Sequence, residues 1–102
     1  MSRREQIEAM LKETPEDTFL KYALAMELKS EQQHEASLKL FGELMAAEPP
    51  HVPAFFMAGQ QLAGLDRIDE AQEILRQGIQ QANQQGNAHA SGEMTEFLMS
   101  LK

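Results

Sequence analysis

The side chains here whose types could do chemistry are three histidines, His34, His51 and His89, and an acidic cluster at Asp69, Glu70 and Glu73. No two histidines are separated by the three residues that would place both on one metal-binding helix face, and no His-Glu-x-x-His string occurs. His34 begins a helical stretch and His51 sits in a proline-rich turn, both ordinary surface positions. The acids stand at the start of another helical stretch, where they complement the positive end of the helix dipole. That placement suits capping rather than general acid–base catalysis. The sequence has no cysteine, which removes thiol nucleophiles, thiolate metal sites and disulfides. No strand is evident for a glycine-rich phosphate loop to follow. The expectation is a protein without a catalytic site, metal or cofactor.

Function must then lie in surfaces, and surfaces depend on the elements that build them. A chain of 102 residues is one domain with a modest core, and 42% apolar with 25% charged residues is a globular balance. Ala, Leu, Met, Glu, Gln and Lys are abundant and β-branched residues scarce, which predicts an all-α fold. The net charge of −7 repels phosphate backbones, and no basic cluster exceeds Arg3–Arg4, so nucleic acid is not expected as a partner. No apolar run is long enough to span a bilayer and no signal-peptide pattern opens the chain, so no membrane partner and a cytoplasmic location are expected. Prolines and glycines divide the sequence into six helical pieces. These cover about 3–13, 16–29, 34–47 and 53–63, a fifth from 68 that fades at "NQQGN", and 88–101.

The pieces repeat. "SEQQHEASLKLFGELMAAEPP" from Ser30 aligns without a gap on "GLDRIDEAQEILRQGIQQANQ" from Gly64, an offset of 34 residues. In that register Ser37 meets Ala71, Phe41 meets Leu75, Ala25 meets Gly59 and Leu28 meets Leu62. The same offset pairs Ile7 with Phe41 and Pro15 with Pro49. The sequence therefore resembles the tetratricopeptide repeat family, whose 34-residue unit follows W-x2-L-G-x2-Y, then A-x3-F, then P. Phe55, Ala58, Gly59, Leu62, Ala71 and Leu75 match its slots in one repeat. Leu24, Ala25, Leu28, Ser37, Phe41 and Pro49 match in the other. Lys21 stands where the family has a large aromatic, Asn83 where it has the closing proline, and the residues after Gly86 match poorly. Histidine phosphotransfer domains are also small, helical and acidic, but carry a lysine three places after the histidine and then a glycine. Lys39 and Gly42 follow His34 at other spacings.

The resemblance implies antiparallel helix hairpins stacked as a short right-handed α-solenoid. It divides the chain into an N-terminal helix and turn (1–17), two repeats (18–51 and 52–85) and a capping helix (86–102). Small residues at Ala25/Ser37 and Gly59/Ala71 would mark close helix crossings. The first helix of each pair would line a concave groove that holds a peptide or helix of a partner protein. Slot by slot, that groove receives Phe19, Tyr22, Met26 and Lys29, then Phe56, Gln60 and Ala63, then Met94 and Phe97. Aromatics and methionines there, rather than Lys, Asn and Arg, disfavour a clamp for a C-terminal carboxylate. The competing readings are a structural homo-oligomer, such as a homodimer, that buries the same face, and a plain helical bundle whose stripe is core.

Overall fold

Three helices start where a side chain accepts an unpaired backbone amide, and a fourth starts with a proline in its first turn. The computed structural model describes residues 2–101. Helix α1 (Arg3–Glu13) opens with a reciprocal cap, Glu5 N–H donating to Ser2 Oγ at 3.1 Å and Ser2 N–H to Glu5 Oε1 at 3.0 Å. Helix α2 (Thr18–Ser30) starts at Thr18 rather than Glu16 because the Asp17 carboxylate accepts the Leu20 N–H at 3.0 Å. Helix α3 (His34–Met45) stops before Ala47, and the Leu44 carbonyl accepts the N–H of His51 at 3.0 Å across the proline-rich turn. Helix α4 (Val52–Gly64) carries Pro53 in its first turn, where a missing N–H costs nothing. Helix α5 (Ile68–Gln84) is followed by α6 (Ala88–Ser100), whose Asn87 cap accepts the Ala90 N–H at 3.1 Å. No strand occurs among the described residues.

Three of the turns are the same motif. Gln33 N–H donates to Leu28 O at 2.8 Å, Arg67 to Leu62 O at 2.9 Å and Asn87 to Ala82 O at 2.8 Å. The preceding residue in each, Gln32 (φ 62°), Asp66 (φ 63°) and Gly86 (φ 74°), is left-handed and donates to a carbonyl three residues back. This is the Schellman arrangement, which satisfies two free carbonyls at a helix end. Glycine fills the left-handed position in the last turn, while Gln32 and Asp66 hold it against their own side chains.

Packing follows the chain. Each helix lies on the next in sequence, and α4 also reaches α6, which is the neighbour-on-neighbour stacking of a solenoid. The body measures 40 × 29 × 18 Å, a slab rather than a closed bundle. Side chains of α2, α4 and α6 meet along one face, and those of α3 and α5 flank α4 along another. At the first crossing Ala25 and Ser37 are both fully buried, and the Ser37 hydroxyl donates to the Ala25 carbonyl at 2.7 Å. At the second, Ala71 is fully buried, but the residue pressed on Gly59 is Leu75. A Cβ on Gly59 would lie 2.7 Å from Leu75 Cδ2. A third close approach occurs at Gly78, where a Cβ would lie 2.5 Å from Phe55 Cβ and 2.6 Å from Met94 Sδ. The core runs through these points in two linked clusters, one around Phe41 and Leu44, the other around Phe55, Leu75 and Met94.

Candidate protein-binding face

Period and cap together set which side chains α2, α4 and α6 present on their shared face. Phe19, Tyr22 and Met26 follow i, i+3, i+7 spacing on α2 and therefore share a stripe. Their fates differ. Phe19, in the first turn, is 75% exposed. Tyr22 is half-buried, its ring edge-on to Phe41 at 5.9 Å and to His51 at 5.2 Å. Met26 packs against the first core cluster, and Lys29 is half-buried at the far end of the helix. On α4, Phe56 is half-buried against the edge of Phe97 from α6, with centroids 6.0 Å apart. Gln60 and Ala63 continue the α4 face away from these rings and are half-buried.

Tyr22 and Phe56 come together in a cleft of about 130 Å³, also lined by Pro53, Met57, Ala90 and Glu93. Met94 needs correction as a groove residue. It reaches the cleft only as its floor, because the missing side chain at Gly78 lets its sulfur sink to full burial between α5 and α6. Phe19, Met26, Lys29, Gln60, Ala63 and Phe97 do not line this cleft. Met57 was missed by sequence reasoning, although it adjoins Phe56 on the same helix and could have been found from that position. Burial raises the Tyr22 hydroxyl above its usual pKa and lowers His51 below its own. Both effects weaken any case for charge on this face, which is predominantly apolar.

The geometry matches solved structures. A tetratricopeptide repeat domain protein from Salinibacter ruber, determined in solution by NMR, superposes with a TM-score of 0.78 at 32% identity, over 84% of this chain and 87% of that one. A crystal structure of a tetratricopeptide repeat domain protein from the same organism gives 0.74 at 32% identity, over 83% and 94%. The chain belongs to the tetratricopeptide repeat family. No family model matches the sequence, and no curated protein does. In this repeat protein the departures from the family pattern fall where the structure tolerates them. Lys21 keeps its ammonium among carboxylates, 3.0 Å from Glu16 and 3.7 Å from Glu43, which raises its pKa.

The histidines are accounted for locally. His34 Nδ1 lies 2.9 Å from the buried Gln61 Nε2, within the polar group that surrounds Ser37. His51 meets the Tyr22 ring edge-on, and His89 sits exposed, 3.5 Å from Glu93. Among the described residues, no group of three or more histidine or acidic side chains is placed to hold a metal, and no helix is long and apolar enough to cross a membrane.

A larger cleft lies along the other face. It has a volume of about 580 Å³ between α3 and α5, with Leu38, Met45 and Ile74 over Ala58 and Leu62. Arg67 closes one end, pairing with Glu35 of α3 at 2.9 Å and with Glu70 at 2.6 Å. These partners raise the Arg67 pKa, and the guanidinium lowers that of Glu70.

Proposed function

We propose that this protein is a non-catalytic interaction module with the cytoplasm as its setting, and that the face of α2, α4 and α6 holds a peptide or helix of a partner protein. The observation that carries this reading is Phe19. It is a large aromatic left 75% exposed, one helical turn from Tyr22 on the stripe that leads into the Tyr22–Phe56 cleft. A single exposed apolar residue is unremarkable, but one continuous with an apolar cleft is the arrangement that anchors side chains of a partner. Family membership supports the general role, since tetratricopeptide repeats are interaction modules. The low charge of this face favours apolar anchors over recognition of a terminal carboxylate.

Selection of peptides from a random display library on the immobilised protein tests the proposal. Enriched peptides should share aromatic or aliphatic anchors and lose at least about tenfold in affinity for Phe19→Ser, equivalent to about 1.4 kcal/mol. Phe19→Ser should melt like the parent because the side chain makes no buried contact. Peptides that bind the variant and the parent equally, or no enrichment from a monomeric protein, would overturn it. A dimer that dissociates on Phe19→Ser would instead assign the face to a second copy.

A further inference from the structure

We propose a second docking surface: the cleft between α3 and α5 takes an amphipathic helix of a partner, with apolar residues on one side and Lys or Arg along the edge that faces α5. Three observations lead there. The cleft is the larger of the two, about 580 Å³ against about 130 Å³, and its floor is apolar side chain from three helices. A trough between two helices offers a groove into which the ridge of a third helix packs. Its walls then set the charge of the occupant.

On the α5 side Asp69, Glu70 and Glu73 form an acidic row. Arg67 is already committed to Glu70 and Glu35, whereas Asp69 has no ion-pair partner among the described residues. Glu73 accepts a hydrogen bond from Gln77 at 3.1 Å, which leaves its charge unneutralised. The α3 wall adds Lys39 opposite, so a partner should turn its cations toward α5. Complementary charge of this kind sets orientation and association rate more than affinity, which the apolar floor supplies.

The opening has a structural cause. Leu44 occupies the place in the first repeat that Gly78 occupies in the second, 34 residues on. At Gly78 the side chains of Phe55 and Met94 pack directly on the backbone, whereas the buried Leu44 fills the corresponding space with its own side chain. Accordingly α3 meets α4 less extensively than α5 meets α6. Leu38, Met45 and Ile74 are left only partly covered along the cleft.

The test uses a synthetic peptide of about 14 residues, roughly four helical turns, with Leu at i, i+3, i+4 and i+7 spacing and Lys elsewhere. The comparator has every Lys replaced by Glu. In NMR titration the Lys peptide should shift the amides of Leu38, Met45 and Ile74 and bind at least about tenfold more tightly than the Glu peptide. The exposed double variant Asp69→Lys/Glu73→Lys should lose that preference, and Phe19→Ser should retain it. The milder Asp69→Asn/Glu73→Gln pair gives the same reading if charge reversal perturbs the fold. Equal binding of both peptides, shifts confined to α2 and α6, or an unaffected charge variant would each overturn the proposal. So would a dimer of the parent that buries α3 and α5 against a second copy. Phe19 does not line this trough, so the two surfaces are tested separately.

Discussion

Replacing Gly78 by alanine should destabilise the protein, and replacing Gly42 by alanine should stabilise it, although both glycines lie inside helices. A glycine-to-alanine change in a helix interior is ordinarily favourable by about 0.5–1 kcal/mol, because glycine surrenders more backbone freedom on folding. At Gly42 nothing lies within 4 Å of the added Cβ, so that gain should appear unopposed. At Gly78 the added carbon would sit 2.5 Å from Phe55 Cβ and 2.6 Å from Met94 Sδ. Met94 has a flexible thioether that can retreat, but Phe55 Cβ is fixed to the α4 backbone. Relief therefore requires α5 and α4 to separate. Such overpacking costs about 1–3 kcal/mol. Taking the middle of each range, about 2 kcal/mol less about 0.75, leaves a net loss of about 1.25 kcal/mol and a fall in Tm of about 5–10 °C for a domain of this size. Gly59→Ala should fall between the two, since its clash is with the Leu75 side chain at 2.7 Å. Circular dichroism melts and urea unfolding of the three variants give the order. A Gly78→Ala protein as stable as the parent would refute the close approach of α5 to α4.

The left-handed Gln32 and Asp66 should each be improved by glycine, by about 0.5–1 kcal/mol, since relief of the side-chain clash exceeds the added chain entropy. Urea titration checks this, and a loss of stability would mean that their side chains stabilise the turns. Burial lowers the His51 pKa from 6.5, so the unfolded chain binds the proton first and stability should decline as pH falls below about 6.5 toward the folded value. His51→Gln should flatten that part of the profile, measured by unfolding free energy between pH 7.5 and roughly pH 5; an unchanged slope assigns it to other groups. Truncation after Gly86 should cost about 3–5 kcal/mol or cause aggregation, because Met94, Phe97, Leu98 and Leu101 cover Val52, Phe55, Leu75 and Ala82. A truncated chain that melts with the parent would show that α6 is dispensable.

Much of the architecture was written in spacing. The offset of 34 residues located both hairpins, and prolines and apolar periodicity located the helices to within a few residues. Ends were less legible where a competing hydrogen bond decided them, as at Asp17, whose carboxylate delays α2 until Thr18. The turns at Gln32 and Asp66 were hidden because neither carries the glycine that would announce a left-handed residue. Gly78 was hidden for the opposite reason. A glycine within a polar helix reads as a weakness until Phe55 and Met94 are found pressed against it. On the candidate face, periodicity placed Phe19, Tyr22 and Met26 on one stripe. It was silent on coverage, which depends on where His51 arrives from the loop and on how Met26 meets the core.

The two faces differ although the repeats share one fold. Two repeats share one register, yet the slot held by Leu44 in one and Gly78 in the other differs sharply in volume. The small residue lets Phe55 of α4 and Met94 of α6 pack directly on α5, buries Met94 and leaves a small cleft on the α2–α4–α6 face. In the first repeat Leu44 fills that space, α3 meets α4 less extensively, and a larger, acid-walled trough lies against α5. Exchanging volume at these slots should therefore redistribute accessible apolar surface between the two faces without changing the helix order. Leu44→Ala is the simplest such exchange, and its cavity would cost about 2–5 kcal/mol unless α3 closes on α4. A smaller penalty, accompanied by loss of Lys-peptide binding at α3 and α5, would show that Leu44 keeps the trough open.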